Sequence, residues 1–184
     1  ALAANFVSRT NPYKRKRRSA SKTLLIHGEG QEDCVVLKYL KTLYSQNSNV
    51  ASKISRGRGG SADSIVVQAH RLQGAYDRKV VVLDNDKSTA EMSKARQEAV
   101  RKKIELIEHT PCIEAVLLLI LGCRKNVKQQ TSAWCKKEFE SKYINSKKRS
   151  EESEYQELFP KKLLDQKRLK VKELNTLICL FENI

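Results

Sequence analysis

Val80-Val81-Val82-Leu83-Asp84-Asn85-Asp86 is the stretch on which the reading of this chain turns. Four consecutive aliphatic residues suit a parallel strand buried on both faces. The run stops abruptly at two acids. A counterpart lies upstream, in Leu24-Leu25-Ile26-His27-Gly28-Glu29-Gly30. An apolar run that ends on a carboxylate puts that carboxylate at the C-terminal edge of a sheet, where open α/β folds bind their ligands. Glu29, Asp84 and Asp86 meeting there would hold Mg²⁺ (or Mn²⁺), a hard cation that prefers oxygen and sits beside phosphates.

Outward from these two runs, strand and helix patterns alternate. Lys22 to Ile26 reads as a first strand. A helix follows from about Glu32 to Tyr44, with Cys34, Leu37, Leu40 and Tyr44 at three- and four-residue spacing. Val50 to Ile54 is a short second strand. Arg56-Gly57-Arg58-Gly59-Gly60-Ser61 leads into a helix over Ala62 to Leu72. Its glycines would let backbone approach a phosphate, with Arg56 and Arg58 alongside; a plain strand-to-helix connection fits as well. Arg78 to Leu83 is the third strand and Thr89 to Lys103 a polar helix. Ile104 to His109 is a fourth strand ended by Pro111. Cys112 to Leu121 is apolar nearly all round, as in a helix packed under other elements. Such alternation predicts an α/β layer fold with a central, mainly parallel four-stranded sheet.

From about Gly122 the composition shifts to Lys, Glu and Ser. Amphipathic helices are expected near Ser132–Tyr143, Tyr155–Leu164 and Val171–Phe181, with a charged loop over Ser146 to Ser153. The expected organisation is a basic arm at 1–21, an α/β domain at 22–122 and a helical extension at 123–184.

The chain has 184 residues and a formal net charge of +15, from 36 Lys and Arg against 21 Asp and Glu. That excess points to a polyanionic partner, nucleic acid before a membrane surface. Lys14, Arg15, Lys16, Arg17 and Arg18 form the densest run and are expected to contact phosphates. Lys87, directly after the acidic pair, is a further phosphate candidate, although a solvated helix-start lysine is the more natural reading. The five cysteines show no C-x-x-C spacing, so neither a zinc ribbon nor a disulfide framework is indicated. No G-x-x-x-x-G-K-[ST] motif is found, so the chain is not by itself a P-loop ATPase. No apolar run is long enough to span a bilayer and no secretory leader opens the chain at Ala1, so a cytoplasmic location is expected.

Gly28-Glu29-Gly30 and Asp84-Asn85-Asp86 resemble the signature of Toprim domains, which carry a Glu after the first strand and Asp-x-Asp after a later one. The RloB-like group within that family adds a second acid shortly after Gly-Glu-Gly, and a Pro-x-Phe-Glu segment that opens an apolar helix. Gly28-Glu29-Gly30-Gln31-Glu32-Asp33 and Pro111-Cys112-Ile113-Glu114 look similar, with Ile113 in place of the aromatic. Either Glu32 or Asp33 could be the second acid. The resemblance spans residues 22–122. It implies a Toprim-like three-layer fold, a metal on Asp84 and Asp86, and Glu29 as general acid or base or as a further ligand. Glu114 would complete a second metal site, although an acid in the first turn of a helix is favoured there by the dipole alone. The same three carboxylates also suit turn positions that cap helices.

The resulting expectation is a metal-dependent nuclease acting on DNA or RNA. The resemblance further implies bacterial or archaeal antiviral defence, with an ATPase partner protein. A Toprim core that only binds nucleic acid or a partner is the alternative.

Overall fold

The structure, a computed structural model, describes residues 22–183 apart from 47 and 146. The basic arm Lys14–Arg18 lies outside the described residues. Four strands, β1 (Lys22–Gly28), β2 (Val50–Arg56), β3 (Arg78–Asp84) and β4 (Glu105–His109), form one sheet in the order β2-β1-β3-β4. Every pairing is parallel, with Ile26 opposite Ile54 and Val80, and Val82 opposite Ile107.

Helices α1 (Gln31–Tyr44), α2 (Ala62–Arg71), α3 (Thr89–Lys102) and α4 (Ile113–Ile120) follow the strands in turn. The period-two alternation of β3 decides which helix packs where. Val80 and Val82 join Leu24, Ile26, α1 and α4 in one apolar cluster, while Val81 and Leu83 join α2 and α3 in another. The fold is therefore a three-layer α/β sandwich. Helix starts follow local chemistry: the Ser88 hydroxyl accepts from the Glu91 amide at 3.2 Å, and Thr131 does the same for Trp134 at 3.1 Å.

Beyond α4, the chain continues through α5 (Ser132–Lys142), α6 (Glu152–Leu158), α7 (Lys161–Lys167) and α8 (Lys172–Glu182). The single helix expected over Tyr155–Leu164 is two helices. Proline disfavours helical backbone in the residue before it, and Phe159 leaves the helix there. Pro160 then opens α7, where its missing amide costs nothing.

These helices bury their apolar faces in the same cluster as α1 and α4. Phe139, Tyr155 and Phe159 stack at ring-centroid distances of 6.4 and 6.3 Å around Phe159. The Tyr39 hydroxyl of α1 donates to the Phe159 carbonyl at 2.6 Å. Because one core joins both parts, Phe159→Ala should lower unfolding stability by about 3–5 kcal/mol. Val100→Ala, at an 80% exposed position, should stay within about 0.5 kcal/mol. In urea titrations, circular dichroism and Trp134 fluorescence should report one coincident transition; two separate transitions would show that α5–α8 fold as a unit of their own.

Candidate functional site

The order of the strands creates the site. From β1 the chain moves outward to β2, then returns across β1 to β3 and continues to β4. Crossovers of one hand then require α1 on one face of the sheet and α2 and α3 on the other, as observed. The connections leaving β1 and β3 diverge to opposite faces, and a crevice opens between these neighbouring strand ends. Glu29 and Asp84 stand at that crevice.

Backbone hydrogen bonds set their positions. The Glu29 amide donates to the Val82 carbonyl at 3.2 Å, and Glu29 Oε2 accepts from the Asp84 amide at 3.2 Å. The Gly57 amide donates to the Gly28 carbonyl at 2.8 Å. A Cβ at position 57 would lie 2.7 Å from the Glu29 carbonyl oxygen, so only glycine lets the loop after β2 press on this segment.

Asp84 is 8% exposed. Its Oδ1 accepts from the Ile113 amide at the start of α4, at 3.0 Å, and its Oδ2 lies 3.8 Å from Lys136 Nζ of α5. Burial, with the charges of Asp33 and Glu114 behind it, pushes its carboxyl up to about 8 despite Lys136. Asp33 is 5% exposed and accepts from the Gly30 amide at 2.8 Å through Oδ2. Burial and the nearby Glu114, Glu29 and Glu32 push it up to about 6. Glu114 is buried in the first turn of α4. Asp33 Oδ1 and Glu114 Oε2 are both buried without a hydrogen-bond partner.

Of the two acids that follow Gly28-Glu29-Gly30, Asp33 is the buried one, while Glu32 turns to the rim and pairs with Arg149 at 3.0 Å. Lys87 Nζ sits 3.0 Å from Glu29 Oε1 and 3.7 Å from Asp86 Oδ1. Asp86 is therefore tied to Glu29 through a lysine. Arg56 donates to Gln31 at 3.0 Å, and Arg58 is exposed on the neighbouring loop. His27 is bonded to Ser55 at 2.7 Å across β1 and β2.

Among the described residues, no group of three His, Cys, Asp or Glu side chains stands close enough together to hold a metal ion as arranged. The donor chemistry nonetheless suits a hard cation. Burial and neighbouring carboxylates raise the proton affinity of Asp33 and Asp84, two buried oxygens lack any donor, and two ammonium groups neutralise part of the cluster. Lys136 and Arg149, from the helical extension, are site residues that sequence reasoning missed. Nothing in Trp134-Cys135-Lys136-Lys137 distinguishes a lysine facing the acids from one in solvent.

The raised Asp84 value has a signed consequence. Between about pH 4 and pH 8 the folded state keeps a proton that the unfolded chain has released, so this group's contribution to stability falls as pH rises and levels off above about 8. His109 acts oppositely: burial lowers it to about 4, so it destabilises the fold as pH drops from about 6.5 towards that value. Asp84→Asn, which keeps the acceptor for Ile113, isolates the first effect. Its stability gain over the parent should grow from pH 5 to pH 8 in urea titrations; a gain independent of pH would refute the buried, protonated carboxyl.

No protein-family model matches this chain, and no curated protein or solved structure is significantly similar to it.

Proposed function

We propose that this chain is a Toprim-like nuclease of the RloB-like kind that hydrolyses phosphodiester bonds of nucleic acid with the help of Mg²⁺ or Mn²⁺. The observation that carries this reading is the gathering of Glu29, Asp33, Asp84 and Glu114 at the crevice between β1 and β3, inside a chain of net charge +15. Asp33 and Asp84, which resist ionisation at the sheet's ligand-binding edge, are poised for a cation, and a basic exterior recruits polyanions.

Asp84 and Asp86 would hold the metal, with Glu114 and Asp33 as further oxygen donors. When bound, a divalent cation supplies an acidic water and offsets charge on the phosphate. The chain's own groups do the rest. The Ile113 amide fixes Asp84 Oδ1 and leaves Oδ2 directed towards Lys136. Glu29 Oε2 is held by the Asp84 amide, so Oε1 is the atom free to take a proton from attacking water once Lys87 turns to a phosphate. Lys87, which bridges Glu29 and Asp86, and Lys136, which approaches Asp84, offset the charge of these acids until substrate phosphates draw the lysines away.

The setting we propose is antiviral defence in a bacterial or archaeal cytoplasm beside an ATPase partner, which rests on the RloB-like resemblance alone. No helix among the described residues is long and apolar enough to cross a membrane. The pairing of Lys87 and Lys136 with the acids favours a second reading, a module that binds nucleic acid without cutting it.

Labelled single- and double-stranded DNA and RNA incubated with Mg²⁺, Mn²⁺ or EDTA separate the two readings. Metal-dependent cleavage should be lost in Asp84→Ala/Asp86→Ala and reduced by about 10²–10⁴-fold in Glu29→Gln. Binding without cleavage by parent and variants alike would favour the module. Independently of activity, Mn²⁺ should raise the melting temperature of the parent and not of Asp84→Asn. Equal shifts would place the cation elsewhere.

A further inference from the structure

Helix α5 presents two unlike faces. Cys135 and Phe139 are buried in the core, while Lys136, Lys137 and Glu140 line an open groove of about 690 Å³. Asn145 and Arg149, from the connection to α6, complete its far wall. Three of these side chains are cationic. The only acid among them, Glu140, is occupied by Arg149 at 2.9 Å.

The groove runs into the acid cluster at two points. Lys136 keeps 43% of its side chain exposed, yet its ammonium reaches within 3.8 Å of Asp84 Oδ2. That separation is too long for a hydrogen bond, so the ammonium stands near the acids without being locked to them. Arg149 sits with 46% of its side chain exposed and bridges Glu32 and Glu140 at 3.0 and 2.9 Å. Its backbone is anchored by the Tyr155 hydroxyl, which donates to the Arg149 carbonyl at 3.0 Å. Both cations therefore stand at the boundary between the cluster and the groove, on elements rooted in the core.

We infer that this groove seats the sugar-phosphate backbone of a nucleic-acid strand, with Lys136 as the positioning residue that sets one phosphate beside Asp84. The inference deepens the nuclease reading and rests on it for the identity of the polyanion. A phosphate entering the groove gives the Lys136 ammonium an anion outside the cluster, and Lys137 and Arg149 neutralise phosphates further along the strand. A sugar-phosphate strand, with regularly spaced single charges, suits a row of separate cations better than a compact anion does. Recognition of this kind reads backbone and leaves base identity unspecified.

The test is a salt titration of binding in EDTA, followed by anisotropy of a short labelled single strand. K136Q/K137Q/R149Q should bind about tenfold or more weakly, with a salt slope reduced by about 2, since each phosphate contact on a single strand contributes about 0.7. K103Q/K162Q/K170Q removes equal charge from exposed positions outside the groove and should retain affinity and slope. Circular dichroism and thermal melting of both variants must match the parent, and K136R should restore binding. Equal losses in the two triple variants, or competition by poly-glutamate as strong as by oligonucleotide, would overturn the inference. The two proposals fail separately. If no protein cleaves but the groove variant alone loses binding, the groove stands without the nuclease. If the parent cleaves and the groove variant binds and cleaves alike, the nuclease stands without the groove.

Discussion

A carboxylate buried at the end of a strand must find a donor, a proton or a cation, because the interior offers no water to solvate its charge. Much of this molecule answers that demand for Asp84. The Ile113 amide satisfies one oxygen, which ties β3 to α4. Lys136 approaches the other, which ties the helical extension to the sheet edge. What remains of the charge is suppressed by retention of a proton. Asp33 repeats the pattern with Gly30 as its donor, and one of its oxygens stays unmatched.

The site's chemistry follows from this incomplete satisfaction. A structural cap needs as many donors as acceptors, and the N-terminus of α4 could supply that balance for one acid. Here Asp33, Asp84 and Glu114 converge where the amides available do not cover their oxygens. Lys136 makes up part of the deficit at Asp84 while Lys87 serves the neighbouring Glu29 and Asp86, and each lysine is only partly covered, so each can be drawn away by a competing anion. An edge held together by exchangeable cations responds to phosphate far more readily than one closed by backbone hydrogen bonds.

The layer fold was legible because two strong signals coincide. Val80–Leu83 and Leu24–Ile26 are aliphatic enough to demand burial on both faces, and the acids after them mark strand ends. Their neighbourhood across β1 and β3 bears out the expected parallel sheet. Pro160 was a local signal that outweighs the apolar spacing around it, and it breaks the helix expected there. The choice between Glu32 and Asp33 was not legible, because adjacent residues at a helix start point about 100° apart and only tertiary packing shows which one faces β3. Lys136 was hidden for a different reason: its partner Asp84 lies on another element, and the charge pattern of α5 alone reads as a solvated face.

The helical extension therefore belongs to the site as much as to the core. A lysine on a loosely attached helix would be lost to solvent, since an exposed ion pair contributes only about 0–1 kcal/mol. Lys136 stays near Asp84 because Cys135 and Phe139, its neighbours on α5, are anchored in the apolar cluster with Tyr155 and Phe159. Apolar burial there does what the ion pair could not: it holds the ammonium at the crevice while leaving it free to change partners. The same anchoring carries Arg149 to Glu32 through the Tyr155 hydrogen bond. The aromatic cluster thus links stability to placement: the helical extension brings Lys136 to Asp84 and Arg149 to Glu32, beside the Lys87 that the α/β layers themselves supply to Glu29.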